Sequence, residues 1–271
     1  MNPLHLLKIE WSKYATNGAF RFFTCLYVVA LVLGVYLARS IGRAASMNYS
    51  GVATPLESLF DYPQNWQVLA YIGSWLNSFV LGSLGVFMIT MEFSNRTLRQ
   101  SVIFGMTRLE VGAAKVVWTL TLALAATGCY VLLGLIWEAH DGVGLVLPPA
   151  GCTLGYYLQA LGYLLLGTLA GMLIRQTAMA TLFFLAYVFF LESVIRWIFY
   201  LNVGKVRLLL FLPVQLLGGL TPLPVPDSVN HIFYSNPATM PLSTTEATVG
   251  ALVYMGLFVA FFSQRMSKSD L

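Results

Sequence analysis

Apolar residues in this chain come in long blocks, separated by small clusters of charge. A bilayer core about 30 Å thick is crossed by about 20 apolar residues of helix, so the stretches free of Lys, Arg, Asp and Glu are the units to read. Such stretches hold 17 residues between Arg21 and Arg39, 30 between Asp61 and Glu92, 22 between Lys115 and Glu138, and 18 between Glu246 and Arg265. The 33 residues between Asp141 and Arg175 contain Pro148-Pro149, which confines the helix to Cys152–Ile174. Within the second stretch Trp66–Met91 reads as helix, and a further run from Gln176 meets Glu192 and Arg196 before it ends near Leu201. The pattern predicts six membrane spans.

One more apolar run, Leu208–Pro226, is interrupted by Pro213, Pro222, Pro224 and the Gly218-Gly219 pair. Broken helix leaves backbone groups unpaired, which lipid does not tolerate. The run is therefore expected to be a re-entrant or surface-lying element, and the segment 202–244 to sit wholly on one side of the membrane.

Composition agrees with this pattern. The 271 residues are 58% hydrophobic and 10% charged, with mean hydropathy +0.75. A soluble domain is about 45–50% apolar and about 25% charged, so disorder is excluded and an ordinary cytosolic enzyme disfavoured. The net charge of +4 is a topological signal here and not a sign of nucleic acid. With six spans, one side carries 10 basic and 4 acidic residues and the other 5 and 7. The positive-inside rule then places both termini in the cytoplasm. The first 20 residues precede the first span as an expected interfacial helix, with Leu4, Leu7, Trp11, Tyr14 and Ala15 on one face. The first span is expected to be retained and not cleaved as a signal peptide. Cys25, Cys129 and Cys152 form no paired motif and His5, His140 and His231 no zinc spacing, so no disulfide framework, resident metal or cofactor is expected. Residues 1–271 read as one membrane domain. Ser74, Ser78 and Gly82 in the second span, and Gly167 and Gly171 in the fourth, let helix backbones approach closely.

The densest chemistry lies in 92–115, EFSNRTLRQSVIFGMTRLEVGAAK. Ser94 or Asn95 can cap a short amphipathic helix, Gly105 can end it, and Thr107-Arg-Leu-Glu110 is a capping box for the next. Lys115 is expected to snorkel to the interface. A Glu followed by Thr-x-Arg, Gly-x-Thr-Arg and a Lys, directly after the second span, resembles the coupling-helix region of type-2 ABC exporter permeases. The matching positions are Glu92, Thr97, Arg99, Gly105, Thr107, Arg108 and Lys115; members commonly have Gly just before the Thr, where this chain has Arg96. The resemblance implies an all-α permease with six spans, a cytoplasmic coupling helix and broken outer helices, in a prokaryotic inner membrane. It implies pairing with a second copy and docking on two copies of a separate ATPase, which would supply ATP and Mg. Glu92, Arg96, Thr97, Arg99, Gly105, Thr107, Arg108 and Lys115 would form the ATPase-coupling segment, and the pathway would be lined by the second and fifth spans.

The chain has no GxxxxGK[ST], HExxH or GxSxG, so no catalytic residue of its own is expected. Asn77 can bond across helices or line a path. Glu192 and Arg196, four apart, read either as a self-neutralising i,i+4 pair or as a gate on the pathway. Glu138, His140 and Asp141 read as solvated surface. Arg96, Arg99 and Arg108 suit either an ATPase or anionic lipid headgroups. Two functions stand: an exporter subunit, or a non-transporting subunit that passes ATPase motion to an outer-face accessory protein through 202–244. An intramembrane enzyme or a secondary transporter would need ionisable clusters or an inverted repeat that the sequence lacks.

Overall fold

A computed structural model describes residues 3–48, 62–103, 105–140, 146–202, 207–224 and 242–268. No strand occurs among them. Helix α1 (Pro3–Tyr14) is followed by α2 (Gly18–Asn48), α3 (Gln64–Ser94), the short α4 (Thr97–Ile103) and α5 (Arg108–His140). Then come α6 (Ala150–Ile174), α7 (Thr177–Phe199), the short α8 (Pro213–Gly219) and α9 (Thr244–Lys268). Six of these, α2, α3, α5, α6, α7 and α9, are long and apolar enough to cross a membrane, as the sequence pattern predicts. The chain is an all-helical, multi-pass membrane protein.

Local chemistry sets the boundaries. Asn17 accepts the N–H groups of Ala19 (2.9 Å) and Phe20 (3.3 Å), so it caps α2. Pro149 sits just before α6 and a left-handed Arg175 (φ 59°) ends it. Ser243 and Glu246 exchange bonds of 3.0 and 3.2 Å, a capping box at the start of α9.

α6 is the central helix. In its most apolar window 78% of residues are buried, against 22% in those of α2, α7 and α9, whose outward faces remain apolar and open. Packing in lipid depends on close backbone approach more than on burial of oily area. The α3–α6 contact meets that demand: a Cβ at Gly167 would collide with the Gly82 carbonyl, and one at Gly85 would lie 2.5 Å from the Leu164 carbonyl oxygen. The small-residue reading of Gly82, Gly167 and Gly171 thus holds.

α3 and α7 each contain one π turn, Asn77–Leu81 and Tyr187–Leu191. α8 enters the bundle beside α6 and α9, with Leu216 against Gly250 and Leu217 against Gly162. Both leucines are buried. The proline-rich run therefore forms no seventh span; it is a 3₁₀ turn (Arg207–Phe211) and a short helix wedged among long ones. Residues 225–241 of the expected outer segment lie outside the described residues.

Candidate functional site

Three chain segments far apart in sequence meet in one buried ionic cluster. Glu10 comes from α1, Glu92 from the last turn of α3, and Lys115 from the second turn of α5. Each is 5% exposed or less. The Lys115 ammonium donates to Glu10 Oε2 and to Glu92 Oε1 at short range, and to the Tyr14 hydroxyl at 3.1 Å. It also lies 5.1 Å from the centre of the Tyr14 ring, which stacks on Trp118. Tyr14 Oη donates towards Glu92 Oε1 and the Met88 carbonyl, each at 3.3 Å. Lys13 closes the rim, 3.1 Å from Glu10 and 3.5 Å from Glu92. Two carboxylates and two ammonium groups balance, which is the condition under which charge survives burial. Burial, with the Glu92 and Glu10 charges beside it, pushes the Tyr14 phenol well above its ordinary range, so it stays a hydrogen-bond donor.

This placement corrects one sequence expectation. Lys115 does not snorkel to an interface: its ammonium turns inward because two carboxylates are within reach. Glu92 and Lys115 are therefore internal ties and not surface for a partner to grip. On α1 the buried face runs through Glu10 and Tyr14, while Trp11 is 60% exposed. Glu10 is the member of this cluster that sequence reading missed. Its signal was present: Leu7, Glu10 and Tyr14 share one helix face, and an acid on such a face demands a partner.

The hairpin built on this cluster follows the sequence closely at its far side. Met106 donates to the Ser101 carbonyl at 3.1 Å across a left-handed Gly105 (φ 96°), a Schellman ending for α4. Glu110 accepts the Thr107 N–H at 2.9 Å, and the Thr107 hydroxyl oxygen accepts the Glu110 N–H at 3.3 Å, which is the expected capping box. At the near side no capping bond from Ser94 or Asn95 to α4 occurs among the described residues. The chain turns through Arg96 in the left-handed region (φ 55°), and the Arg96 carbonyl accepts the Gln100 N–H at 3.2 Å. This is the position where the resemblance expects glycine, and its conformation is one that glycine adopts without strain. Thr97 hydrogen-bonds back to the Glu92 carbonyl at 3.5 Å. Leu98 is buried among Ile89, Val111, Met172 and Phe262, one residue from each of α3, α5, α6 and α9. The outward surface presents Ile103 and Leu109, 74% and 63% exposed, with Arg96, Gln100 and Arg108 around them. The Arg99 side chain lies outside the described residues.

The other candidates all bear on α8. Asn77, fully buried in the α3 π turn, accepts from Tyr27 Oη at 3.0 Å and donates to Gln159 Oε1 at 3.3 Å. Gln159 then donates to the Leu217 carbonyl of α8 at 3.2 Å. Glu192 makes no ion pair with Arg196 among the described residues. It accepts the Val214 N–H at 3.0 and 3.1 Å, the Gln215 N–H at 3.2 Å and the Tyr187 hydroxyl at 2.6 Å. An isolated helix start has orphan N–H groups, and a buried carboxylate satisfies them better than an exposed guanidinium needs it. Arg196 instead donates to Gln215 Oε1 at 2.8 Å. The i,i+4 pair is thus replaced by two separate tethers on α8. Glu138 also departs from expectation: it is buried and accepts from Asn65 Nδ2 at 2.6 Å. Asp141 and the His140 side chain lie outside the described residues.

No protein-family model matches the sequence, and no curated protein matches it.

Proposed function

We propose that this chain is the membrane-spanning permease subunit of an ATP-driven exporter of the type-2 ABC class. It pairs with a second copy and is driven by two copies of a separate cytoplasmic ATPase. It sits in a prokaryotic inner membrane with both termini in the cytoplasm. One observation carries the reading: α1, the end of α3, α4 and the start of α5 form a single joint, locked by Glu10, Glu92 and Lys115. A joint of this kind passes force on. A push on α4 reaches Leu98, which shares one buried cluster with residues of four spans, and the ionic lock carries α1 along. Ile103 and Leu109 supply the apolar pegs that a protein partner buries, and the arginines supply a polar rim. Nucleotide state in the ATPases would then shift the population between inward- and outward-facing dimers.

In this mechanism Glu92 and Lys115 transmit and do not dock, while Arg96, Thr97, Gly105, Thr107 and Arg108 set the shape of the docking hairpin. Asn77, Glu192 and Arg196 hold α8 against the bundle. A mechanical role without transport, passed to an outer-face accessory protein, is the alternative.

The test is recovery of the tagged chain from its native membrane in mild detergent together with its proposed ATPase partner. Co-purification and stimulated ATP hydrolysis are expected, and Ile103→Glu with Leu109→Glu abolishes both without changing the thermal midpoint. Recovery of a folded chain that neither binds nor stimulates the ATPase overturns the reading.

A further inference from the structure

A cleft of about 450 Å³ lies between α3 and α7, backed by α6 and bounded by α8 and Thr221 to Leu223. Both π turns found among the described residues border it, through Ser78 on one side and Val188 and Phe189 on the other. A π turn re-aims the side chains around it and recurs at functional sites. The cleft has two chemically distinct parts. Its wall is aromatic: Trp75 stacks on Phe189 with ring centres 6.4 Å apart and planes at 14°, and Tyr71 and Tyr163 continue it. Its polar part holds Arg196, the single charged residue that lines the cleft among the described residues.

Two facts make this more than a gap in packing. Thr221 lines the cleft and is 4% exposed, and its buried hydroxyl has no hydrogen-bond partner among the described residues. A buried orphan hydroxyl is costly and calls for an explanation. The charge in the cleft is also one-sided. No carboxylate lines it among the described residues, and the nearby Glu192 is taken up by the Val214 and Gln215 amides and the Tyr187 hydroxyl. A guanidinium carries five N–H donors, and Arg196 commits one to Gln215.

We propose that the cleft binds an amphipathic organic anion. The apolar body lies along Trp75, Phe189 and Tyr163; the acidic group pairs with Arg196; a polar atom between them meets the Thr221 hydroxyl. Such a molecule comes either from the bilayer, as an anionic lipid, or from water, as a lipophilic acid. Binding rests on the cleft alone. That such anions are the exported class rests on the function proposed above.

The experiment uses the full chain, without ATPase, in nanodiscs of phosphatidylcholine. Anilinonaphthalenesulfonate is titrated in, with its fluorescence and energy transfer from tryptophan as readouts. The expected result is saturable binding above empty nanodiscs, with the uncharged parent anilinonaphthalene at least tenfold weaker. Losing one charge-assisted contact, Arg196→Gln weakens the probe about tenfold. Thr221→Val weakens it about threefold to tenfold, while the thermal midpoint of the ligand-free protein stays level or rises because an unpaired hydroxyl is gone. Phosphatidylglycerol doped into the disc displaces the probe if the bilayer is the source of the ligand, and leaves it bound if the source is water. The proposal is overturned by binding no better than to empty discs, by equal binding of the uncharged parent, or by wild-type affinity in both variants. Lost probe binding with intact ATPase stimulation removes only the cleft. Retained binding with no ATPase association removes only the exporter.

Discussion

Replacing Lys115 with Met tests whether the ionic joint holds the protein together. Lys115 is 5% exposed, and its ammonium contacts Glu10 and Glu92, themselves 1% and 3% exposed. Without it, two buried carboxylates face each other with only Lys13, which reaches both at 3.1 and 3.5 Å from a part-exposed position. Removing one partner of a buried ion pair costs about 3–5 kcal/mol, because the charge left behind has neither water nor a mate. That is a large share of a total stability of about 5–15 kcal/mol. Replacing all members by neutral groups is far cheaper. The triple variant Glu10→Gln, Glu92→Gln, Lys115→Met is therefore expected to recover most of the loss. The assay is unfolding by titrated dodecyl sulfate, read through Trp118, which stacks on Tyr14. Lys115→Met alone as stable as wild type would refute the buried joint. A triple variant no better than the single would show that shape and not charge sets the cost. The triple variant also separates folding from transmission: it is expected to fold and still to stimulate the ATPase poorly.

Other substitutions test separate parts of the account. Arg96→Gly relieves a left-handed conformation worth about 1–2 kcal/mol and returns part of it as chain entropy, so a net gain of about 0.5–1 kcal/mol is expected in the unfolding midpoint. Gly167→Ala places a methyl group against the Gly82 carbonyl and is expected to cost about 1–3 kcal/mol by overpacking. Gly128→Ala, where a Cβ meets nothing within 4 Å, is the control and is expected to be neutral or mildly stabilising. Glu192→Gln weakens charge-assisted bonds to the Val214 and Gln215 amides; faster hydrogen exchange confined to α8 is the expected signature.

What the sequence made legible follows from the range of each interaction. Membrane spans are written locally, because about 20 apolar residues in a row have few other uses. The α4 hairpin was readable for the same reason: Gly105 and the Thr107–Glu110 box bond within a few residues of themselves. The joint was half legible. Glu92 and Lys115 stood out by pattern, but Glu10 lies 105 residues from Lys115, and no periodicity within one helix reports a partner in another. Local spacing also misled. Glu192 and Arg196 are set four apart as an ion pair would be, yet the orphan amides at the start of α8 took the carboxylate. Glu138 reads as loop surface beside two further polar residues, and the approach of Asn65 from another helix helps make its burial tolerable.

The account depends most on which side of the membrane α4 faces. With Cys25, Cys129 and Cys152 replaced by Ser, a single cysteine at Ile103 is exposed to a membrane-impermeant maleimide in intact cells, with Leu147→Cys as the mark for the opposite end; both native side chains are exposed, 74% and 78%. The account predicts that the cysteine at 103 reacts only after the cells are permeabilised, while the one at 147 reacts at once. Labelling at 103 in intact cells would put the hairpin beyond the reach of any ATPase and contradict the claim.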